Sequence, residues 1–192
     1  MPTIKPEELA TLIDAGRRMY EGGLATGALG AIAVRLPKDV VAVTAAGSRL
    51  GYLNRDDLLL INGAGPVAEN GRQPGKETGV LRAVLAAQPE AGSVVRVQGP
   101  YTTALAHKGR KAIERSRGLM EELGGVAFVP FYRPGTAGLA GAIAEVLRAN
   151  RVAIVEGQGA VVWGTDVHDA VDHAEALEAA ARLSFILNGN EA

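Results

Sequence analysis

Hydrophobic positions change their spacing several times along the chain, and each spacing predicts a type of secondary structure. A spacing of three to four residues predicts an α-helix, whereas alternation or a short apolar run predicts a β-strand. A first helix begins at Pro6 and ends at Gly22 and Gly23, and later helical segments cover residues 77–87, 102–107, 137–149 and 167–187. Segments typical of strands cover residues 31–36, 40–44, 58–61, 67–69, 94–98, 126–131, 152–155 and 160–163. The pattern predicts a mixed α/β domain with a β-rich first section followed by alternating elements.

Composition and charge narrow the classes of protein. A length of 192 residues suffices for a sizeable core, so residues 1–192 are predicted to form one domain. The net charge of −1 gives no reason to expect nucleic acid or an anionic membrane as a partner. The absence of cysteine excludes disulfides and thiolate chemistry. Because no signal-peptide core or bilayer-length apolar run is present, we expect a cytoplasmic protein.

The strand over residues 94–98 carries unusual polar residues for a buried element. Side chains alternate across a strand, so Arg96 and Gln98 share one face while Val95 and Val97 share the other. A buried arginine requires a partner, and Glu77 is the nearest obvious candidate in terms of sequence motifs. Ligands of α/β sheets gather beyond the carboxyl ends of strands, where Gln98 lies. The pattern therefore favours a ligand site here, although a structural ion pair would also satisfy the buried charge.

Two other candidate sites are weaker. The glycines between residues 22 and 30 follow a predicted helix and lack the spacing of nucleotide-binding loops, so they indicate a helix stop and a link. His168 and His173 each have an aspartate four residues away on the last predicted helix, a spacing that can hold a metal. No third ligand is evident, so a solvated helix face is the favoured interpretation.

Eight short segments, in order along nearly the whole chain, resemble motifs of the class II aldolase/adducin family. The matching segments are Gly30–Arg35, Thr44–Gly47, Leu53–Leu58, Gln73–Thr78, Val94–Leu105, Pro134–Ala140, Glu156–Gly164 and Ala174–Ala180, the last with Glu178. The family includes zinc-dependent fuculose- and ribulose-phosphate aldolases and epimerases. The resemblance implies a three-layer α/β/α domain with a central mixed, largely antiparallel sheet. It also implies a homo-oligomer, commonly a tetramer with sites at subunit interfaces.

The chain departs from this family at the metal site. The three zinc-binding histidines of the family fall on Arg96, Gln98 and Gln158, whereas its catalytic carboxylate is retained as Glu77. Glutamine amides are poor zinc ligands, and a guanidinium stays protonated. An arginine in the metal position repels a cation and can replace part of its charge. We therefore predict no metal and no other cofactor.

The phosphate site of the family is also altered. Its asparagine and serines fall on Ala31, Gly75 and Lys76, although Thr44 and Gly47 persist. The predicted substrate-binding residues are Gly30, Thr44, Gly47, Lys76, Gln98 and Gln158. If the protein is active, the predicted catalytic residues are Glu77 as a proton shuttle and Arg96 as a fixed cation.

Two functions of different classes are open. The first is a protein that lacks aldolase activity, as the adducin head domain does, and that binds a small ligand or acts as an oligomeric scaffold. The second is a metal-independent lyase or isomerase that acts on a small, phosphorylated hydroxy-carbonyl compound. Loss of the metal and phosphate ligands together favours the first. The polar character of Arg96, Gln98 and Gln158 supports the second, because an inactive pocket is free to fill with apolar side chains. In both cases the expected partner is a small anionic or carbonyl compound.

Overall fold

A computed structural model describes residues 3–62, 65–67, 71–109 and 117–189. Eight strands form one sheet: β1 (Ala31–Leu36), β2 (Val40–Thr44), β3 (Leu58–Asn62), β4 (Gly65–Val67), β5 (Ser93–Val97), β6 (Val126–Val129), β7 (Val152–Val155) and β8 (Gly159–Gly164). The α-helices are α1 (Pro6–Glu21), α2 (Thr78–Ala87), α3 (Pro100–Lys108), α4 (Arg117–Glu122), α5 (Ala137–Val146) and α6 (Val167–Gly189). Two 3-10 turns, Leu50–Tyr52 and Arg55–Asp57, link β2 to β3. None of these helices has the length and apolar character needed to cross a membrane.

The sheet has the strand order β4-β3-β2-β1-β5-β8-β7-β6. Every neighbouring pair is antiparallel except β6 and β7, which are parallel. The expectation of a mixed, largely antiparallel sheet is therefore confirmed. The central strand β5 pairs with β1 on one side and β8 on the other, so Arg96 lies between Ala31 and Val161.

Helices cover both faces of the sheet and complete the three layers. On one face, Ile32, Val95 and Val97 pack in a core with side chains of α1, α3 and α6. On the other face, Ala33 and Val94 pack in a second core with side chains of α2 and α5. Because side chains alternate along a strand, Arg96 lies on the same face as Val94 and points toward the layer of α2 and α5.

An arginine of β1 anchors the carboxyl end of α2. The Arg35 guanidinium donates to the carbonyl oxygens of Ala91 (3.1 Å), Leu85 and Gln88. These carbonyls belong to the last turn of α2 and the loop after it, where a cation also interacts favourably with the helix dipole. This contact sets the position of the helix, and therefore of Glu77 at its opposite end.

Several elements differ from the sequence prediction. Helix α4 lies in a stretch for which the hydrophobic pattern predicts no helix or strand. Helix α3 begins at Pro100, since proline is well suited to a first helical turn. Strand β6 ends at Val129, because Pro130 has no N–H for a sheet hydrogen bond. Helix α5 ends at Val146, three residues earlier than its pattern suggests. Of the strand expected over residues 67–69, Val67 is the last residue of β4, and residues 68–69 lie outside the described ranges.

The start of α6 is fixed by a partly exposed hydrogen-bond network around Asp169. Asp169 Oδ2 accepts hydrogen bonds from Thr165 N (2.7 Å), Thr165 Oγ1 (3.0 Å) and Arg151 Nη1 (2.8 Å). Burial raises the pKa of Asp169, but the hydrogen bonds from Thr165 and Arg151 and the nearby His173 outweigh it and lower that pKa. Nδ1 of His173 lies 2.8 Å from the backbone oxygen of Asp169. No group of three or more metal-ligating side chains is found among the described residues.

Replacement of Asp169 by asparagine is expected to lower the free energy of unfolding by about 1–2 kcal/mol near neutral pH, because charge-assisted hydrogen bonds are lost. The folded-state pKa of Asp169 lies below its unfolded value of about 3.9. Its contribution is therefore present above that value and is lost as the pH falls through the folded pKa. The difference between Asp169→Asn and the unchanged protein, measured by urea unfolding, should shrink as the pH is lowered.

The control for this experiment is Glu145→Gln, which removes an exposed ion pair with Arg148. Exposed pairs contribute little, so this change should alter stability by less than about 0.5 kcal/mol at any pH. A stability difference for Asp169→Asn that stays constant down to acid pH would show that the carboxylate charge is not responsible.

Candidate active site

The centre of the site is an ion pair buried against the sheet. Arg96 is 8% exposed, and its Nε lies 2.9 Å from Oε2 of Glu77. Its Nη2 also donates to the backbone oxygen of Gln158 at 2.9 Å. Strand β5 supplies Arg96, the residue before α2 supplies Glu77, and the turn between β7 and β8 supplies Gln158. The ion pair expected from the sequence is thus formed.

Burial is the main influence on the pKa of Arg96. It lowers the pKa of Arg96, and the neighbouring Glu77 carboxylate opposes that change. Arginine has so high an intrinsic pKa that it remains protonated in proteins. The pair to Glu77 and the bond to Gln158 occupy two of the five N–H donors of the guanidinium. The others are available for an oxygen atom of a ligand.

A pocket of about 270 Å³ lies in front of Arg96. Its walls are residues 28–31 at the start of β1, residues 44–48 after β2, and residues 75–78 at the start of α2. Its inner end is formed by Arg96 and Gln98. Seven of the eight predicted site residues line this pocket: Gly30, Thr44, Gly47, Lys76, Glu77, Arg96 and Gln98.

The eighth residue, Gln158, lies behind the guanidinium instead. Its Nε2 donates to the backbone oxygen of Tyr132 at 2.6 Å, and its backbone oxygen accepts from Arg96. The expected contact of Gln158 with substrate is therefore not supported by this arrangement. The residue orients Arg96, and its side chain fixes the loop that contains Tyr132.

The retained glycines and threonine shape the pocket wall. Gly30 has a φ of +99°, and a Cβ there would lie 2.8 Å from Ala25 Cβ, so both the backbone conformation and the space require glycine. Gly47, with a φ of +74°, forms the turn after β2. Thr44 Oγ1 accepts a hydrogen bond from Ile32 N at 3.2 Å, which holds this turn against β1.

The amino-terminal end of α2 opens into the pocket. Thr78, the first residue of this ten-residue helix, is 8% exposed, and its Oγ1 has no hydrogen-bond partner among the described residues. The positive end of a helix dipole together with a free hydroxyl favours an anion. Lys76 lies beside it and is exposed at the pocket wall. This end of the pocket is suited to a phosphate or carboxylate.

A buried aspartate ties two walls of the pocket together. Asp57, 7% exposed, accepts from Ser48 Oγ at 3.0 Å and pairs with Arg72 at 3.1 Å. Arg72 also donates to the backbone oxygen of Ala46 at 3.2 Å. The turn after β2 is thereby fixed to the segment that leads to Lys76 and Glu77.

Thr78 and Ser48 both line the pocket, and sequence reasoning did not select them. The signal for Thr78 was its place directly after Glu77 at a helix start. The signal for Ser48 was its place directly after the retained Thr44–Gly47 turn.

The zinc that the family resemblance implies does not fit these residues. The guanidinium of Arg96 offers only donors and carries a positive charge, so it excludes a cation from this position. Glu77 is already paired with it, and the Gln158 side chain is bound to Tyr132. The side chain of Gln98 alone cannot replace three imidazoles.

The class of protein follows from the fold and the sequence together. The structure of L-fuculose 1-phosphate aldolase is 20% identical in sequence and superimposes with a TM-score of 0.82, covering 97% of this chain and 88% of the other. YgbL from Klebsiella pneumoniae superimposes with a TM-score of 0.86 at 28% identity, covering 98% and 94% of the two chains.

Residues 10–185 match the family described as Class II Aldolase and Adducin N-terminal domain. The chain belongs to this family.

Two groups of relatives in the family are enzymes with lyase-type names. The 3-oxo-tetronate 4-phosphate decarboxylase of Haemophilus influenzae is 31% identical over 185 residues, covering 94% of this chain and 88% of the relative. The methylthioribulose-1-phosphate dehydratase of Methylococcus capsulatus is 30% identical over 193 residues and covers 94% of each chain. These similarities favour a lyase-type role on a small phosphosugar over the scaffold expected from the missing ligands.

The three replaced positions allow a direct test of the metal site. The triple variant Arg96→His, Gln98→His, Gln158→His restores a three-imidazole set beside Glu77 and should bind about one zinc per chain. The unchanged protein, dialysed against zinc and then buffer, should retain less than about a tenth of that amount, because Arg96 occupies the position with a positive charge. Atomic absorption of both proteins measures the ratio.

A matched control is the double variant Gln98→His, Gln158→His, which keeps Arg96 and should bind zinc no better than the unchanged protein. Stoichiometric zinc in the unchanged protein, lost on replacing Glu77, would contradict this account of the site.

Proposed function

We propose that this protein is a metal-independent lyase that acts on a small phosphorylated 2-hydroxy-3-oxo acid and removes its carboxylate as CO2. The observation that carries the proposal is the buried Arg96 guanidinium at the inner end of the pocket. It is a fixed cation with free donors where the family uses a metal. The decarboxylase relatives support the same reaction type.

The phosphate of the substrate is assigned to the outer part of the pocket. Thr78 Oγ1, the start of α2 and Lys76 provide a hydrogen-bond donor, a helix dipole and a positive charge. The turn containing Gly47 closes the opposite side. An extended four-carbon acid phosphate then reaches Arg96 and Gln98 with its carbonyl end.

Decarboxylation of a 3-oxo acid needs an electron sink at the carbonyl. The bond between C1 and C2 breaks, CO2 leaves, and the electron pair moves through C2 to the 3-oxo oxygen as an enolate. Arg96 stabilises that developing negative charge as a fixed cation at the inner end of the pocket. A proton from solvent then adds to C2, and Glu77 is the group placed to carry it. The product is a phosphorylated hydroxyketone. The reaction as written requires no metal, oxidant or reductant.

The test is CO2 release from 3-oxo-tetronate 4-phosphate in the presence of a chelator. We expect turnover that a chelator does not reduce. Arg96→Lys keeps the charge but loses the donors of the guanidinium and should lower kcat/KM by roughly a hundredfold. Arg96→Met should lower it further. Glu77→Gln should lower kcat more than it raises KM.

The control variant is Arg148→Gln, which changes an exposed arginine that pairs with Glu145 and does not line the pocket. It should leave turnover unchanged. Turnover that requires added zinc, or that survives in Arg96→Met, would rule out the proposed mechanism.

A second candidate function is ligand binding without turnover. The observation in its favour is that Arg96 and Glu77 already satisfy one another, as a structural pair would. The same assay separates the two: binding of 4-phosphoerythronate with no CO2 release from the 3-oxo acid supports this second function. 4-Phosphoerythronate has a hydroxyl in place of the 3-oxo group and cannot decarboxylate.

We also propose that the protein is a homo-oligomer, a tetramer by family resemblance. Large exposed apolar side chains support it, among them Leu29 at the pocket wall, Tyr52 and Phe131. Light scattering should give a mass of about four times the chain mass of 19.9 kDa. A monomer at micromolar concentration would contradict this proposal and leave the reaction to be tested by the assay above.

A further inference from the structure

A carboxylate from α6 supports the turn at the end of the central strand. Glu178 Oε1 accepts the N–H of Tyr101 at 2.9 Å, and its Oε2 accepts the N–H of Thr102 at 2.8 Å. These are the first N–H groups that α3 can offer, because Pro100 has none. Since the capping residue Gly99 has no side chain, Glu178 acts as the helix cap from another element.

Glu178 also interlocks with Gly99. A Cβ at position 99 would overlap the carboxylate of Glu178, although the backbone conformation of Gly99 suits other residues. The glycine is therefore needed because of the neighbouring carboxylate. The turn and the side chain of α6 fit together as one unit.

The residue on the other side of this turn is Gln98, at the inner end of the pocket. Its N–H donates to the backbone oxygen of Leu24 at 2.9 Å, and a Cβ at Gly159 would lie 3.2 Å from its Cγ. The backbone of Gln98 is thus bonded to Leu24, its side chain lies close to Gly159, and the residue that follows it, Gly99, lies against the carboxylate of Glu178.

The side-chain amide oxygen of Gln98 has no hydrogen-bond partner among the described residues. Gln98 Oε1 is buried and accepts no hydrogen bond from the described residues. Such an acceptor is costly unless a ligand satisfies it. The 2-hydroxyl of a hydroxy-oxo acid is a donor of the required kind, so the placement of Gln98 to a fraction of an ångström affects binding.

We propose that Glu178 is a positioning residue that sets Gln98, and through it the affinity of the inner pocket for the hydroxy-acid end of the ligand. This inference rests on the proposed function for the identity of the ligand. It assigns no contact between Glu178 and substrate. Glu178 lines a different cavity, together with Pro100, Tyr101 and Arg182, and that cavity shares no lining residue with the substrate pocket.

Calorimetry with two probes tests the assignment. 4-Phosphoerythronate reaches both ends of the pocket, whereas inorganic phosphate uses only the end at Thr78. Glu178→Ala should weaken 4-phosphoerythronate binding by roughly tenfold and phosphate binding by less than about twofold. Glu178→Gln retains one acceptor, so its affinity for 4-phosphoerythronate should lie between that of the unchanged protein and that of Glu178→Ala. Glu175→Gln, one turn earlier and paired with Arg18, should bind both probes normally.

A double-mutant cycle tests the interlock. Gly99→Ala should weaken 4-phosphoerythronate binding by roughly tenfold, because the new methyl group displaces the carboxylate and the turn with it. In the Glu178→Ala background the same change should have a clearly smaller effect, since the space is then open. Additive effects would overturn the proposal, as would normal binding by folded Glu178→Ala or an equal loss of both probes.

Failure of the proposed function gives a different result. If the unchanged protein binds neither probe, the ligand is wrong, and crystal structures of Glu178→Ala and the unchanged protein decide the positioning role. A shift of Gln98 by more than about 1 Å would support it, and an unchanged turn from Gln98 to Pro100 would overturn it. Thermal unfolding of each variant confirms that it is folded.

Discussion

The rest of the site depends on burying one guanidinium in the middle of the sheet. An unpaired charge in such a position costs several kcal/mol, so Arg96 must meet a carboxylate. Glu77 provides it only if the start of α2 lies beside the end of β5. Arg35 fixes the far end of the same helix, and the Asp57 network fixes the segment before it. The ion pair and these anchors together leave the pocket open in front of Arg96.

Replacing a metal by a guanidinium changes the ligand that the pocket can prefer. A metal accepts two neighbouring oxygen atoms as ligands, whereas a guanidinium donates hydrogen bonds to an oxyanion in fixed directions. The fold tolerates the replacement because the three changed positions are confined to two places. Arg96 and Gln98 lie at the end of β5, and Gln158 lies in the turn between β7 and β8. Gly30, Thr44 and Gly47, which match the family motifs, line the walls of the pocket. The same scaffold can thus hold a phosphate at one end and a different reacting group at the other.

Much of this structure follows from sequence patterns, and the remainder depends on long-range contacts. Strands β1, β2 and β7 begin and end where their apolar runs predict, because alternation reports burial on a sheet. The largely antiparallel character of the sheet was implied by the family resemblance. The order of the strands was not predicted, since periodicity carries no information on pairing. The hydrophobic pattern does not predict helix α4, because its segment is polar. The role of Glu178 could not be predicted from spacing, because its partners are backbone groups 76 and 77 residues away.

The pairing of Glu77 also favours one lyase reaction over others. Aldol cleavage and dehydration both begin by removing a proton from the substrate, which requires a base, and Oε2 of the Glu77 carboxylate is already paired with Arg96. Decarboxylation begins with loss of CO2 and requires only stabilisation of the enolate, which the paired guanidinium can give through its remaining N–H groups. In the proposed reaction, proton addition follows the loss of CO2, so Glu77 is not needed as a base in the first step. The pairing of Arg96 with Glu77 is therefore compatible with the proposed decarboxylation.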